Sequence, residues 1–147
     1  MSIFDSFSIN ASGLTAERYR MDVISENIAN IDTTRTEDGT PYRRKLVTFE
    51  EKGKNGTFAS ALAKAKGDYI GGGVRVGRTY EDTETEMKMV YDPSHPDADE
   101  NGYVTYPNVN VITEMTDLID ASRSYEANAT AFSASKSMAV KGLEMAQ

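Results

Sequence analysis

Residues 3–31 read IFDSFSINASGLTAERYRMDVISENIANI. Ile3, Phe7, Leu14, Met21, Ile24, Ile28 and Ile31 follow a single three-and-four spacing, with Asn10 and Glu17 in the two polar positions of the same line. Thr15, Arg18, Asp22 and Glu26 fall off that line, where they can meet water. A stripe that repeats near every 3.5 residues predicts an amphipathic helix packed in the manner of a coiled coil. Gly13 costs about 1 kcal/mol against Ala in a helix interior, so it marks a kink or a place where another backbone comes close. Asn30, Asp32, Thr33 and Thr34 then end the pattern in turn-forming residues.

A second stripe runs from Val111 toward residue 145 through Met115, Leu118, Tyr125, Ala129, Phe132, Ala139 and Leu143, with Ser122 and Lys136 as its polar members. Pro107 and Asn108 precede it. Asn108 or Asn110 offers a side-chain acceptor to the free N–H groups of the first turn, and Glu114 suits that positive end. Ala121, Ala127, Ala129, Ala131 and Ala134 keep this helix thin enough for close packing. Roughly 30 residues at 1.5 Å each make a rod of about 45 Å. Such a helix is marginal alone in water, so the two stripes are obvious partners for each other. Periodicity by itself also describes the core of a small bundle, and it leaves open whether the contacts lie within one chain or between chains.

The segment between the stripes, 35–110, is different. Asp38-Gly39 and Pro41 read as a turn, and Leu46, Thr48 and Phe49 as a short strand. Residues 58–66, FASALAKAK, suggest a short helix, and Gly71-Gly72-Gly73 breaks the chain. Val74 and Val76 alternate with Arg75 and Gly77, and Met87, Met89 and Tyr91 alternate with Glu86, Lys88 and Val90, as strands with one wetter face do. Residues 92–102, DPSHPDADENG, read as an exposed loop, followed by an extended Tyr103, Val104 and Tyr106. The expected fold is mainly α, with a small mixed, loop-rich β middle and long N- and C-terminal helices packed as a coiled-coil-like pair. Its segments are 1–34, 35–110 and 111–147.

Composition narrows the functions. The 147-residue chain is 39% hydrophobic, low for a self-sufficient globule, and its large apolar side chains gather toward the ends. Part of its ordering is therefore expected from neighbouring chains. Sixteen basic against 23 acidic side chains leave a net charge of −7, which repels a phosphate backbone. The one dense basic run, Arg43, Arg44 and Lys45 beside Tyr42, reads as a solvated turn or a salt-bridged protein contact rather than a nucleic-acid site. The absence of cysteine excludes disulfides and thiolate metal sites. The opening MSIFDSFSIN lacks the basic-then-apolar pattern of a cleaved leader, and no run is long and apolar enough to span a bilayer.

No catalytic constellation emerges. Asp97, Asp99, Asn101 and Gly102 match the opening of a calcium-binding loop, but the twelfth position is Asn108 instead of a bidentate glutamate. His95 is the only histidine, too few for a histidine-based zinc cluster. No serine sits in a G-x-S-x-G turn, and Gly71–Gly73 lacks the spacing of a phosphate or dinucleotide loop. The expectation is a non-enzymatic chain with no cofactor and no metal.

Several segments resemble the bacterial flagellar basal-body rod protein family. SGLTAERYRMDVISENIANIDT, followed by TPYRRKLVTF, is similar to its signature helix, with Asn27, Ala29, Asn30, Thr33, Tyr42 and Arg43 at characteristic positions. GYVTYPNVNVITEMTDLIDASRSYEANATAFSASKSM is similar to its proximal-rod members, through Tyr106, Pro107, Asn108, Val109, Glu114, Met115, Ala121, Arg123, Tyr125, Glu126, Ala127 and Asn128. Thr34–Thr40 departs from the short Thr-Pro link of many relatives. The resemblance implies export by the flagellar type III apparatus without a cleaved leader and assembly in the periplasm. It also implies a place in the torque-transmitting drive shaft, whose lumen carries later subunits, with copies of itself and other rod proteins as partners. On this reading Leu14, Met21, Ile24, Ile28, Met115, Leu118, Tyr125 and Phe132 carry subunit packing. Asn27, Asn30, Tyr42, Arg43, Pro107, Asn108, Glu114, Arg123, Glu126 and Asn128 are the motif residues available for polar contacts between subunits. A soluble helical adaptor, or another axial subunit of distal-rod or hook type, is the alternative.

Overall fold

The computed structural model describes residues 3–53, 62, 65–66 and 71–145. In chain order these form α1 (Ile3–Ala29), β1 (Lys45–Glu51), β2 (Val74–Glu81), β3 (Lys88–Tyr91), β4 (Tyr103–Tyr106) and α2 (Val111–Glu144). The short helix expected over 58–66 lies largely outside the described residues. The architecture is the expected one: two long terminal helices pack together, and the chain between them forms a small β middle of two two-stranded sheets, β1–β2 and β3–β4.

Local chemistry sets the helix ends. At the exit of α1, the Asn30 side chain donates to the Glu26 carbonyl at 2.9 Å, and its Oδ1 accepts from the Thr33 hydroxyl at 3.1 Å. At the entry to α2, Asn110 Oδ1 accepts from the N–H groups of Ile112 at 3.0 Å and Thr113 at 3.4 Å. Of the two asparagines that could cap α2, Asn110 therefore does so, while Asn108 is engaged elsewhere.

Among the described residues, those within 20–47 and 78–120 form one compact unit, and those within 1–19, 48–77 and 121–147 another. In the first, the Arg20 guanidinium lies 3.9 Å from the Asp117 carboxylate, and Asn27 reaches Glu114. Its core holds Val23, Ile24, Tyr42 and Val104. In the second, Phe7 meets Phe132 edge to face with ring centroids 5.1 Å apart. Ala16 and Ala121 are its buried apolar side chains among the described residues. Gly13 is buried, and a Cβ there would come within 2.9 Å of Asn128 Oδ1. It marks a close approach of the Asn128 side chain rather than of a second backbone. Low-numbered residues of α1 thus meet high-numbered residues of α2, so the helices run antiparallel.

The strands pair antiparallel. Asp82 donates to the Arg44 carbonyl at one end of the β1–β2 ribbon and Lys52 to the Gly73 carbonyl at the other. In the hairpin, Lys88 faces Tyr106, Met89 faces Thr105, Val90 faces Val104 and Tyr91 faces Tyr103. The acidic loop between β3 and β4 spends the carboxylates of Asp92 and Asp99 on its own geometry. Asp92 Oδ1 takes the Ser94 N–H and hydroxyl, and Asp99 Oδ1 takes the N–H groups of Asn101 and Tyr103. Gly102 closes the turn at φ +81°, where an L side chain is strained. Asp97 accepts from the Thr34 hydroxyl at 2.8 Å, and His95 Nδ1 accepts from the Asp97 N–H at 3.1 Å.

Candidate functional site

The densest polar cluster gathers around Asn27, which is 1% exposed on the inward face of α1. Its Oδ1 accepts from the Lys45 N–H at 2.9 Å, and its Nδ2 donates to the Lys45 carbonyl at 2.9 Å. One carboxamide thereby satisfies both backbone groups of the first residue of β1, as a neighbouring strand would. The same Oδ1 accepts from the Tyr42 hydroxyl at 2.9 Å, and the same Nδ2 donates to Glu114 Oε2 at 3.0 Å.

Glu114, also 1% exposed, sits in the first turn of α2. Its Oε1 takes the Arg44 Nε–H at 2.6 Å, and Arg44 extends a second N–H to Asp117 at 3.2 Å. A carboxylate this deep is tolerable because a guanidinium and an amide meet it together. Lys45 pairs with Glu26 and lies 5.7 Å from the centre of the Tyr42 ring. Burial, and then the nearby Glu26, Glu114 and Glu81, push the Tyr42 phenol well above its ordinary value.

Asn108 extends the network. Its Oδ1 accepts from the Arg44 N–H at 2.9 Å, while its Nδ2 donates to the carbonyls of Asp82 at 2.9 Å and Thr85 at 3.2 Å. Asp82 in turn is held below the usual carboxylate range, first by the Thr85 N–H and hydroxyl. The motif residues Asn27, Tyr42, Asn108 and Glu114, far apart in sequence, thus meet in one hydrogen-bonded joint within the chain. The joint holds carboxylates, amides, a phenol and cations already committed to one another, an arrangement suited to fixing geometry rather than to transferring groups.

The other motif residues lie elsewhere. Asn30 caps its own helix, Pro107 is buried, and Asn128 packs on Gly13 while donating to the Ser124 carbonyl at 2.9 Å. Arg43 is half-buried, Arg123 and Glu126 are exposed, and none of the three makes an ion pair among the described residues. Of the stripe residues, Ile24 is buried and Phe132 packs on Phe7. Leu14, Met21, Ile28, Leu118 and Tyr125 are half-buried. Met115 remains 54% exposed, in company with Ile112 at 78% and Ile119 at 52%. Sequence reasoning missed Arg44, the cation of the buried pair, and Asp117. The available signal was a basic run at a strand start together with acidic residues on the inward turns of α2.

Comparison with known proteins gives the arrangement its context. Residues 7–35 match the family model "Flagella basal body rod protein", and residues 100–145 match "Flagellar basal body rod FlgEFG protein C-terminal". The chain is 46% identical to the flagellar basal-body rod protein FlgC of Bacillus subtilis, over 99% of each chain. It is 45% identical to FlgC of Borreliella burgdorferi, over 100% of this chain and 99% of that protein. Against FlgC of Aquifex aeolicus the identity is 40%, over 92% of this chain and 91% of the other. With both terminal motifs matched and relatives aligned end to end, the chain belongs to the FlgC family of flagellar basal-body rod proteins.

Proposed function

We infer that this chain is a structural, non-catalytic subunit of the flagellar basal body, built into the proximal rod. The observation that carries this reading is the long antiparallel helix pair whose seam is only partly covered within the chain, with Leu14, Met21, Ile28, Leu118 and Tyr125 half-buried, while Ile112, Met115 and Ile119 of α2 stay uncovered. A contiguous set of large apolar side chains left in water marks a contact surface, and a rod supplies neighbours to cover it. Among the described residues no helix is long and apolar enough to cross a membrane, which suits a part that meets the membrane through other proteins.

In this role the helix pair is the stiff element that passes torque along the shaft. The half-buried stripe residues Leu14, Met21, Ile28, Leu118 and Tyr125, with Met115, gain their remaining burial from neighbouring copies and other rod proteins. Arg43, Arg123 and Glu126 are placed for ion pairs with them. The segments 1–34 and 111–147 serve as the shaft and 35–110 as the outward contact region. Delivery is by the flagellar type III apparatus, without a cleaved leader, to the periplasmic space.

The test is complementation. Expressed in a Bacillus subtilis strain lacking its own FlgC, the chain restores swimming, and a tagged copy localises to purified basal bodies. Complete basal bodies that exclude the tagged chain would point instead to a soluble helical adaptor.

A further inference from the structure

The hairpin carries an unused edge. Asp92 donates to the Gly102 carbonyl at 2.9 Å, continuing the ladder in which Lys88 faces Tyr106 and Val90 faces Val104. In an antiparallel pair, hydrogen-bonded and non-hydrogen-bonded positions alternate. The even-numbered residues of β3 therefore spend their backbone groups on β4, and the N–H and C=O of Met89 and Tyr91 point the opposite way. Nothing among the described residues pairs with those groups. The corresponding edge of β4 is blunted at Tyr103, whose N–H goes to Asp99 Oδ1 and whose C=O accepts from the Asp99 N–H. The side chains above the open edge are exposed as well, Met89 at 61% and Tyr91 at 64%. A short apolar edge strand with free backbone groups is a template for another strand.

We propose that the occupant of this edge is β3 of a second copy, joined antiparallel about a two-fold axis through Val90. That register sets Met89 opposite Tyr91 of the other copy. Those are the residues whose backbone groups point outward, so each pair exchanges both of its hydrogen bonds. The same register sets Lys88, exposed, opposite Asp92 of the other copy, and Val90 opposite its own counterpart at the non-hydrogen-bonded position. Charge, apolar contact and hydrogen-bond parity thus agree on one alignment. Shifting it by one residue either way faces inward-bonded backbone groups toward the new strand. The result is a four-stranded antiparallel sheet across two copies. Such an interface is isologous and closes after two copies, so it cannot build a shaft. It describes the free chain, as a dimer that must part before its subunits enter a rod. The contact is small, which places it in the weak, concentration-dependent range.

The experiment is sedimentation equilibrium of the purified full chain from micromolar to millimolar concentration, combined with single-cysteine cross-linking. The chain has no native cysteine, so each introduced thiol reports alone. Val90→Cys places two thiols at Cα atoms about 4.5 Å apart across the axis, within disulfide range. Met89→Cys separates its two copies by more than about 7 Å, beyond that range. The expected results are a monomer–dimer equilibrium, V90C cross-linking on mild oxidation well ahead of M89C, and dissociation at least about tenfold easier in K88D, which sets like charges across the strand. A chain that stays monomeric at millimolar concentration overturns the proposal. So does a K88D dimer as tight as the parent, or equal cross-linking of the two cysteine variants. Lys88 is exposed and its replacement leaves the fold intact, so the K88D measurement stands even if V90C perturbs packing.

Discussion

At Asn27 one side chain answers four polar groups, two on the backbone of Lys45 and one each on Tyr42 and Glu114. The consequence for single substitutions is steep. Glu114→Ala strands the Arg44 Nε–H and one N–H of the Asn27 amide, while Asp117 still holds the other side of the guanidinium. Urea denaturation of that variant should show a loss of about 3 kcal/mol, the low end for breaking a buried pair from one side, because Asp117 remains as a counter-charge. By contrast, Glu50→Ala breaks only the exposed pair with Arg75 and should cost less than about 1 kcal/mol. Tyr42 adds a pH signature. Its folded-state pKa is raised, so above pH about 10 the unfolded chain loses a proton that the folded chain keeps. The folded state then binds more protons, and stability falls as pH rises, by up to about 1.4 kcal/mol per unit from this one group. Tyr42→Phe should cost about 1 kcal/mol at neutral pH and should remove that part of the alkaline slope. An equal slope in both proteins would rule out the buried phenol as its source.

At the scale of elements, the tight places are where α1 meets α2 and where α1 meets β2. Gly13 lets Asn128 come close, so Gly13→Leu should destabilise by about 1–3 kcal/mol through overpacking. Asn128→Ala in the same chain should recover a good part, and a double-mutant cycle measures the coupling. Additive effects would mean that the two residues do not touch. Gly73 lies at φ +99°, and a Cβ there would fall on the Ser12 hydroxyl, which accepts from the Val74 N–H at 3.0 Å. A side chain there meets both strain and a clash. The capping asparagines separate cleanly too. Asn110→Ala should cost about 1 kcal/mol, as a lost N-cap does. Asn108→Ala should cost more, since it strands the Arg44 N–H and the Asp82 carbonyl together. Helix boundaries were readable because a 3–4 stripe has a definite beginning and end. The choice between the two asparagines was not, because both precede the helix at plausible distances and only distant partners occupy one of them.

At the scale of the whole molecule, burial is uneven. The unit containing residues 20–47 and 78–120 encloses Val23, Ile24, Tyr42 and Val104, whereas the buried apolar residues of the other are alanines among the described residues. Residues 136–144 of α2 are exposed apart from Ala139. Hydrogen exchange on the free chain should therefore show fast amides beyond Ser135 and slow ones near Glu114 and Ala121. Uniform protection along α2 would contradict this. Incorporation into a rod should slow the fast set. Leu118→Asp, which buries a charge on the half-covered face of α2, should cost several kcal/mol. Complemented cells carrying it should lack complete rods.

The sequence by itself determined the two terminal helices, their partnership, the loop-rich strands between them and the family, because periodicity and terminal motifs are local patterns that a chain carries wherever it folds. Only the tertiary structure decided that Arg44, rather than Arg43, supplies the buried cation. The two neighbours in sequence are chemically alike, and at a strand start successive side chains point to opposite faces. It also decided that Asn27, Tyr42, Asn108 and Glu114 form one joint. Hydrogen bonds between groups separated by as many as 87 positions leave no periodic trace. The same holds for the open edge of β3. Which backbone groups a strand has left over depends on the register of its partner, and register is settled by packing.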